Sequence, residues 1–251
     1  MLTFENVLLS QGDFALTVDL TLPNAEIIAL IGPSGADKST ILSAIAGFFA
    51  PTRGRICWDG ADLAGVAPGA RPVSMLFQDN NLFPHLTAAQ NVGLGLHPNL
   101  KLTPAQLEVV ETALAQVGLS GFGGRKPGAL SGGQQSRVAL ARVLVADRPL
   151  VLLDEPFSAL GPALKDEMLD LVKDKLHAAG KTVIMVTHDP ADARRIADCA
   201  ALVADGVVTA PVATAKLLDN PPLRWRRIWD SLYQDVLNEK GPLESGPLFI
   251  V

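Results

Sequence analysis

Over the first 22 residues apolar and polar positions alternate. The stretches "LTF" and "FALTVDLTL" flank a turn at Gly12-Asp13, the pattern of half-exposed antiparallel strands. At 26–31 the alternation gives way to the continuous apolar run "EIIALI", as in a strand buried on both faces. "KSTILSAIAGFFAP" has helical spacing and is expected to stay helical up to Pro51. "GRICWDG" and "RPVSMLFQ" read as strands, and a mixed segment from about 80 to 135 carries short helical patterns such as "AQLEVVETALAQVG". Beyond it helix and strand alternate: "SGGQQSRVALARVLVA", strand "LVLLDE", helix "ALKDEMLDLVKDKLHAAG", strand "TVIMVTH", helix "ADARRIAD", strand "CAALVA". That order implies a parallel sheet with helices on both faces.

The chain has 251 residues, 48% of them hydrophobic, which is enough for a sizeable core. A formal net charge of -5 lacks the basic footprint of a nucleic-acid binder, so an anionic ligand must be met by local groups. Cys57 and Cys199 stand far apart and form neither a disulfide framework nor a metal-ligand pattern, which fits a reducing compartment. "MLTFENVLLSQGD" carries Glu5 and no basic run, unlike a signal peptide. No apolar run reaches the roughly 20 residues of a spanning helix. A soluble chain is expected, tied to a membrane only through a partner.

Three stretches carry candidate chemistry. The first is "GPSGADKST": Gly32, Pro33, Ser34, Gly35, Ala36, Asp37, Lys38, Ser39 and Thr40. A strand that ends in such a turn and opens a helix aims backbone N–H groups and a helix N-terminus at one spot, which suits phosphate. Lys38 would reach the outer phosphates and the Ser39 hydroxyl would ligate Mg2+. An ordinary turn with Asp37 capping the helix is the plainer alternative. In the second, "RPLVLLDEP", a buried strand delivers Asp154 and Glu155 to the carboxyl edge of the sheet. Asp154 would hold Mg2+ through water and Glu155 would polarise the attacking water, unless the two are simply solvated acids. The third is "LSGGQ", where Ser131, Gly132, Gly133 and Gln134 head a helix and form a second anion site or a mere cap. Two such sites in one chain suggest two copies sharing each nucleotide.

Together these residues resemble the ATP-binding cassette of ABC transporters. Their order matches as well: phosphate loop at 32–40, Gln78 in "LFQD", "LSGGQ" at 130–134, "LLDEP" at 152–156, "SAL" at 158–160 and His188 in "VTHD". The resemblance spans about residues 1–222 and implies an α/β P-loop NTPase fold. That fold has a parallel-sheet core, an N-terminal antiparallel β layer and a helical subdomain over about 80–140. It further implies ATP and Mg2+ as ligands and Gln78 as a contributor to Mg2+ and water. His188 would contact the γ-phosphate near Glu155. The implied partners are a second copy in a head-to-tail dimer, an integral membrane permease and, indirectly, a periplasmic substrate-binding protein, with no nucleic acid. The location would be the cytoplasmic face of a bacterial inner membrane. Within the family, "ARPVSMLFQDNNLFPHLTAAQNVGLGLHPNLKL" is most similar to the ATP-binding subunits of thiamine importers. His85 and His97 in that segment read as surface or docking residues.

Several positions depart from the family. Asp37 stands at the last glycine of the phosphate loop. Gln11 occupies the place of an adenine-stacking aromatic, and Gly161 that of an aspartate after "SAL". Ala25 replaces a turn glycine, a change expected to be harmless. A carboxylate about 4 Å from a phosphate costs roughly 4 kcal/mol at an effective dielectric near 20. With its side chain capping the helix in the N–H cradle, Asp37 predicts weak ATP binding. A degenerate cassette, retaining fold and docking face but little turnover, is therefore the alternative reading. In the tail at 223–251, Trp225, Ile228, Trp229, Leu232, Val236 and Leu237 form one helical apolar stripe, suited to packing on the domain or its mate, or to a membrane surface or partner.

Overall fold

The structure, a computed structural model, describes residues 1–12 and 14–221. The apolar stripe expected at 223–251 lies outside these residues.

Two antiparallel strands open the chain, β1 (Leu2–Gln11) and β2 (Phe14–Leu22), paired from Leu2↔Leu22 to Gln11↔Phe14 as their alternation predicts. The buried strand β3 (Ile27–Ile31) leads into helix α1 (Lys38–Ala46). This helix ends well before Pro51. Gly47 adopts φ 91°, a left-handed stop that the apolar continuation Phe48-Phe49 hides from the periodicity. Strands β4 (Arg53–Trp58), β5 (Ala61–Asp62) and β6 (Val73–Leu76) follow. Three helices come next: α2 (Ala88–Gly93), α3 (Pro104–Gln116) and α4 (Gly132–Ala146), each opened by a capping box with Thr87, Thr103 or Ser131 at the N-cap. The chain then alternates through β7 (Leu150–Asp154), α5 (Pro162–Val172) and a π-helical turn at Lys173–His177. It continues with β8 (Thr182–Thr187), α6 (Pro190–Ile196) and β9 (Cys199–Ala204). Last come β10 (Val207–Val208), β11 (Val212–Ala213) and α7 (Thr214–Asp219).

The strand order is β5-β4-β1-β2-β10-β9-β3-β8-β7-β6, with β11 alongside β9. Strands β9, β3, β8, β7 and β6 run parallel, and β1, β2, β4 and β5 form the antiparallel layer. The parallel strands are apolar at nearly every position because each face covers its own core. Ile27, Ala29, Ile31, Val151, Leu153, Val183 and Met185 point into a cluster shared with α2 to α7. The intervening Ile28, Leu30, Leu150, Leu152, Ile184 and Val186 point into one shared with α1 and the antiparallel strands. Among the described residues no helix is long and apolar enough to cross a membrane.

Ala25 sits at φ 57°, where a left-handed alanine carries a backbone cost of about 1–2 kcal/mol, so alanine at this turn is not the harmless choice expected.

Candidate functional site

Because β3, β8, β7 and β6 are parallel neighbours, their carboxyl ends share one edge, and each delivers a candidate side chain there. β3 runs into the 32–40 loop, β7 ends in Asp154 and Glu155, β8 is followed by His188, and β6 by Gln78. Gly32 has no space for a side chain, since a Cβ there would lie 2.1 Å from Val203 O. The loop can therefore pass close under the sheet edge.

Lys38 is 4% exposed and folds back on its loop, donating at 2.8 Å to both Gly32 O and Pro33 O. Burial pulls its ammonium below the ordinary lysine value, against the opposing pull of Glu155, Asp154 and Asp37. Ser39 Oγ donates at 2.7 Å to Asp154 Oδ1. Burial pushes the Asp154 carboxyl above its usual range, partly offset by that hydrogen bond.

Asp37 corrects an expectation. It holds the N-cap position of α1, but at φ 52° and ψ 31° its side chain makes no capping bond. An N-cap residue that reaches back to the helix N–H groups needs extended dihedrals; the left-handed backbone here leaves the carboxylate exposed.

Glu155 also has a positive φ, 41°, and its backbone N–H donates to Val186 O at 3.1 Å, so the strained residue is tied to the neighbouring strand. His188 Nδ1–H donates to Glu155 Oε2 at 3.1 Å. That hydrogen bond holds the Glu155 carboxyl below its usual range against the opposing effect of burial, so Glu155 stays ionised at neutral pH. A cleft of about 650 Å3 is lined by Ser34, Gln78, Glu155, Ser158, Lys165 and His188 among others, a size suited to a nucleotide-scale ligand.

Lys165 is a residue the sequence did not single out. Its ammonium lies 2.6 Å from Asp192 Oδ1 and 3.0 Å from Asp189 Oδ2, directly beyond His188. Asp189 also accepts from Ala191 N at 2.9 Å, and Thr187 Oγ1 donates to Asp192 Oδ2 at 2.9 Å. Burial lowers the Lys165 pKa, but the two carboxylates outweigh it and the net shift is upward; burial raises that of Asp192. One cation is thus shared by two acids. The sequence did hold a signal, in the polar residues Thr187, Asp189 and Asp192 bunched around Pro190.

The remaining candidates stand apart from this cleft's lining. Gln11 is exposed at the end of β1. Ser131 begins α4, where its Oγ accepts from Gln134 N at 3.3 Å and its N–H donates to Gln134 Oε1 at 3.0 Å. Gly132 is exposed, whereas Gly133 is buried against α5, where an added Cβ would lie 2.3 Å from Leu164 Cδ2. Gly161 is the N-cap of α5 and offers no side-chain cap. His85 is exposed, and His97 Nδ1 accepts from Asn99 N at 3.2 Å.

For Mg2+ the donor chemistry fits. The Ser39 hydroxyl and Asp154 carboxylate are hard oxygen donors held 2.7 Å apart, and a Mg2+ of this class takes few protein ligands beside phosphate. Among the described residues no group of three or more His, Cys, Asp or Glu could hold a metal by itself.

The family model for ABC transporters matches residues 16–158. A thiamine import ATP-binding protein, ThiQ, from Ruegeria sp. (strain TM1040) is 57% identical over 222 residues, 88% of this chain and 96% of that protein. The ThiQ of Jannaschia sp. (strain CCS1) is 52% identical over 226 residues, covering 89% of this chain and 99% of the relative. Among solved structures, the ATP-binding cassette MJ0796, in a dimeric post-hydrolysis state bound to ADP and Pi, is similar at a TM-score of 0.75. It shows 32% identity, covering 85% of this chain and 99% of that one.

Proposed function

This chain belongs to the ABC transporter family, and on that premise we propose that it powers the import of thiamine or a thiamine phosphate through a membrane permease. It is a transport ATPase with an ABC cassette fold. The substrate is inferred from the relatives that bear the name of thiamine import proteins.

The observation that carries the hydrolytic reading is the pairing of Glu155 with His188 beside Lys38, Ser39 and Asp154 on one sheet edge. Lys38 would exchange its two loop carbonyls for phosphate oxygens. Ser39 and Asp154 would hold Mg2+, with Gln78 at the cleft wall. When bound, Mg2+ supplies charge neutralisation of the phosphates. Glu155, kept ionised by His188, would take a proton from the attacking water, and His188 would fix the direction of that carboxylate. The 131–134 turn would face the nucleotide of a second copy, a reading compatible with a similar cassette that is dimeric and bound to ADP and Pi. Such an assembly would sit at the cytoplasmic face of the inner membrane, and residues around Asp79 to His85 would meet the permease.

The degenerate alternative draws no support from these relatives, and its premise of a self-capped phosphate loop is absent from the described geometry.

Phosphate release by the purified chain with Mg·ATP, and thiamine uptake by vesicles carrying chain and permease, test the reading. Parent activity should vanish in Glu155→Gln, which keeps the shape and removes the base. Hydrolysis at the parent rate by that variant would remove Glu155 from the mechanism. Uptake indifferent to thiamine would reject the substrate.

A further inference from the structure

Lys165 lies on α5, yet both carboxylates bonded to its ammonium lie around the turn after β8. Each of the two carboxylates it binds uses its other oxygen locally. Asp189 Oδ1 accepts from Ala191 N at 2.9 Å, and Asp192 Oδ2 accepts from Thr187 Oγ1 at 2.9 Å. Thr187 Oγ1 in turn accepts from Asp189 N at 3.0 Å. The residue enclosed by this ring of bonds is His188. All of it is well sheltered: Lys165 and Asp192 side chains are each 12% exposed and Asp189 is 2%.

We propose that Lys165 is a positioning residue for hydrolysis: its ammonium, gripping Asp189 and Asp192 together, fixes the turn that aims His188 at Glu155. The inference rests on the hydrolytic reading above. A bond of 3.1 Å between His188 and Glu155 leaves little tolerance, and a shift of about 1 Å in a catalytic group costs on the order of a hundredfold in rate. The same helix is anchored on its other side to α4, through Leu164 against Gly133 and Glu167 Oε1 at 2.6 Å from Arg137. The grip therefore has a fixed base.

The plainer account makes the cluster a buried ion pair that merely stabilises the packing of α5 on α6. Lys165→Met alone does not separate the two, because it strands two buried carboxylates and would unfold the chain on either account. Lys165→Met with Asp192→Asn removes one charge of each sign, so the net charge of the cluster is unchanged and Asp189 alone loses this cation. For this double variant, judged folded by its thermal melt, we expect kcat to fall about tenfold to a hundredfold with KM for ATP within about threefold. Lys165→Arg, which keeps both charge-assisted bonds, should restore kcat to within about threefold of the parent. A folded double variant with parent kcat would overturn the inference. So would a Lys165→Arg chain that melts normally yet is as slow as the double variant. Glu155→Gln run alongside keeps the two levels apart: if it hydrolyses ATP at the parent rate the functional reading fails, whereas if it is inactive while the Lys165 variants turn over normally only the positioning role fails.

Discussion

Asp37 and Lys38 are neighbours in sequence with opposite environments: the carboxylate is exposed on a left-handed residue, while the ammonium is 4% exposed and bonded to Gly32 O and Pro33 O. Exposure weakens what Asp37 can do to ATP. At about 4 Å a charge pair is worth roughly 1 kcal/mol in water and about 4 kcal/mol at a dielectric near 20, and an exposed group lies toward the aqueous end. Asp37→Gly should therefore tighten Mg·ATP binding by roughly fivefold to fiftyfold. Titration calorimetry in low and moderate salt would read this, with the gain shrinking as salt rises. Because no capping bond is lost, the nucleotide-free protein should melt no lower than the parent. A loss of about 1 kcal/mol or more would reveal a cap after all.

Asp154 is expected to trade stability for function. Its carboxyl is held above the usual range, mainly by burial, so the folded state binds the proton more tightly than the unfolded one. Stability from this group is thus present below the unfolded value and lost as pH rises through the folded one, leaving a cost at neutral pH. Asp154→Asn, which still accepts from Ser39, should raise the melting temperature of the nucleotide-free protein in EDTA at pH 7.5 while abolishing Mg2+-dependent hydrolysis. The increment should shrink as pH falls below the folded pKa. An unchanged melting temperature across that range would mean that burial of this carboxylate costs nothing.

Arg142 of α4 donates at 2.9 Å to both Asn81 O and Asn80 O, clamping the segment after Gln78 to the helix that begins at the 131–134 turn. Asn80 and Asn81 both have positive φ, a conformation asparagine tolerates, and the guanidinium fork fits the two carbonyls they present. Arg142→Lys can serve only part of that geometry and leaves one of the two carbonyls, the half-buried Asn80 O or the exposed Asn81 O, poorly paired. A destabilisation of about 1–3 kcal/mol is expected, read as a lower urea midpoint at unchanged slope. A midpoint equal to the parent's would mean that the fork adds nothing over a point charge.

The sheet edge was legible because its strands are continuous apolar runs that stop at Gly32, Asp154 and His188, and a buried parallel strand permits little else. The Ser131 cap was legible too, because Ser followed three residues later by Gln is a local bond pattern. The end of α1 was not, since Phe48 and Phe49 prolong the apolar period past a glycine whose φ decides the matter. Nor was the conformation of Asp37, a choice of backbone well made by the surrounding loop rather than by the residue. Lys165 escaped for a further reason. In "ALKDEM" it looks like one charge of a solvated helix face, while the acids that define it lie on the far side of β8, where only the fold brings them.

The two glycines of the 131–134 turn should separate folding from turnover. Gly133 is buried, and an added Cβ would lie 2.3 Å from Leu164 Cδ2, so Gly133→Ala must displace a side chain that anchors α5. Overpacking costs about 1–3 kcal/mol where the neighbour is held and less where, as here, it is the tip of a half-buried leucine, and trimming the obstacle with Leu164→Ala should recover part of it in a double-mutant cycle. Gly132 is exposed, a Cβ there would meet nothing within 4 Å, and it opens a helix in which alanine is favoured over glycine by up to about 1 kcal/mol. Gly132→Ala should therefore leave the urea midpoint equal or higher. Its effect should fall on turnover instead: if this turn faces the nucleotide of a second copy, the extra methyl group obstructs the approach of phosphate to the helix N-terminus, and kcat should drop while the isolated chain binds ATP as before. Phosphate release measured against chain concentration, with ATP binding measured on the dilute chain, reads both. A Gly132→Ala chain that is as stable as the parent and hydrolyses ATP equally fast at every concentration would remove this turn from the composite site.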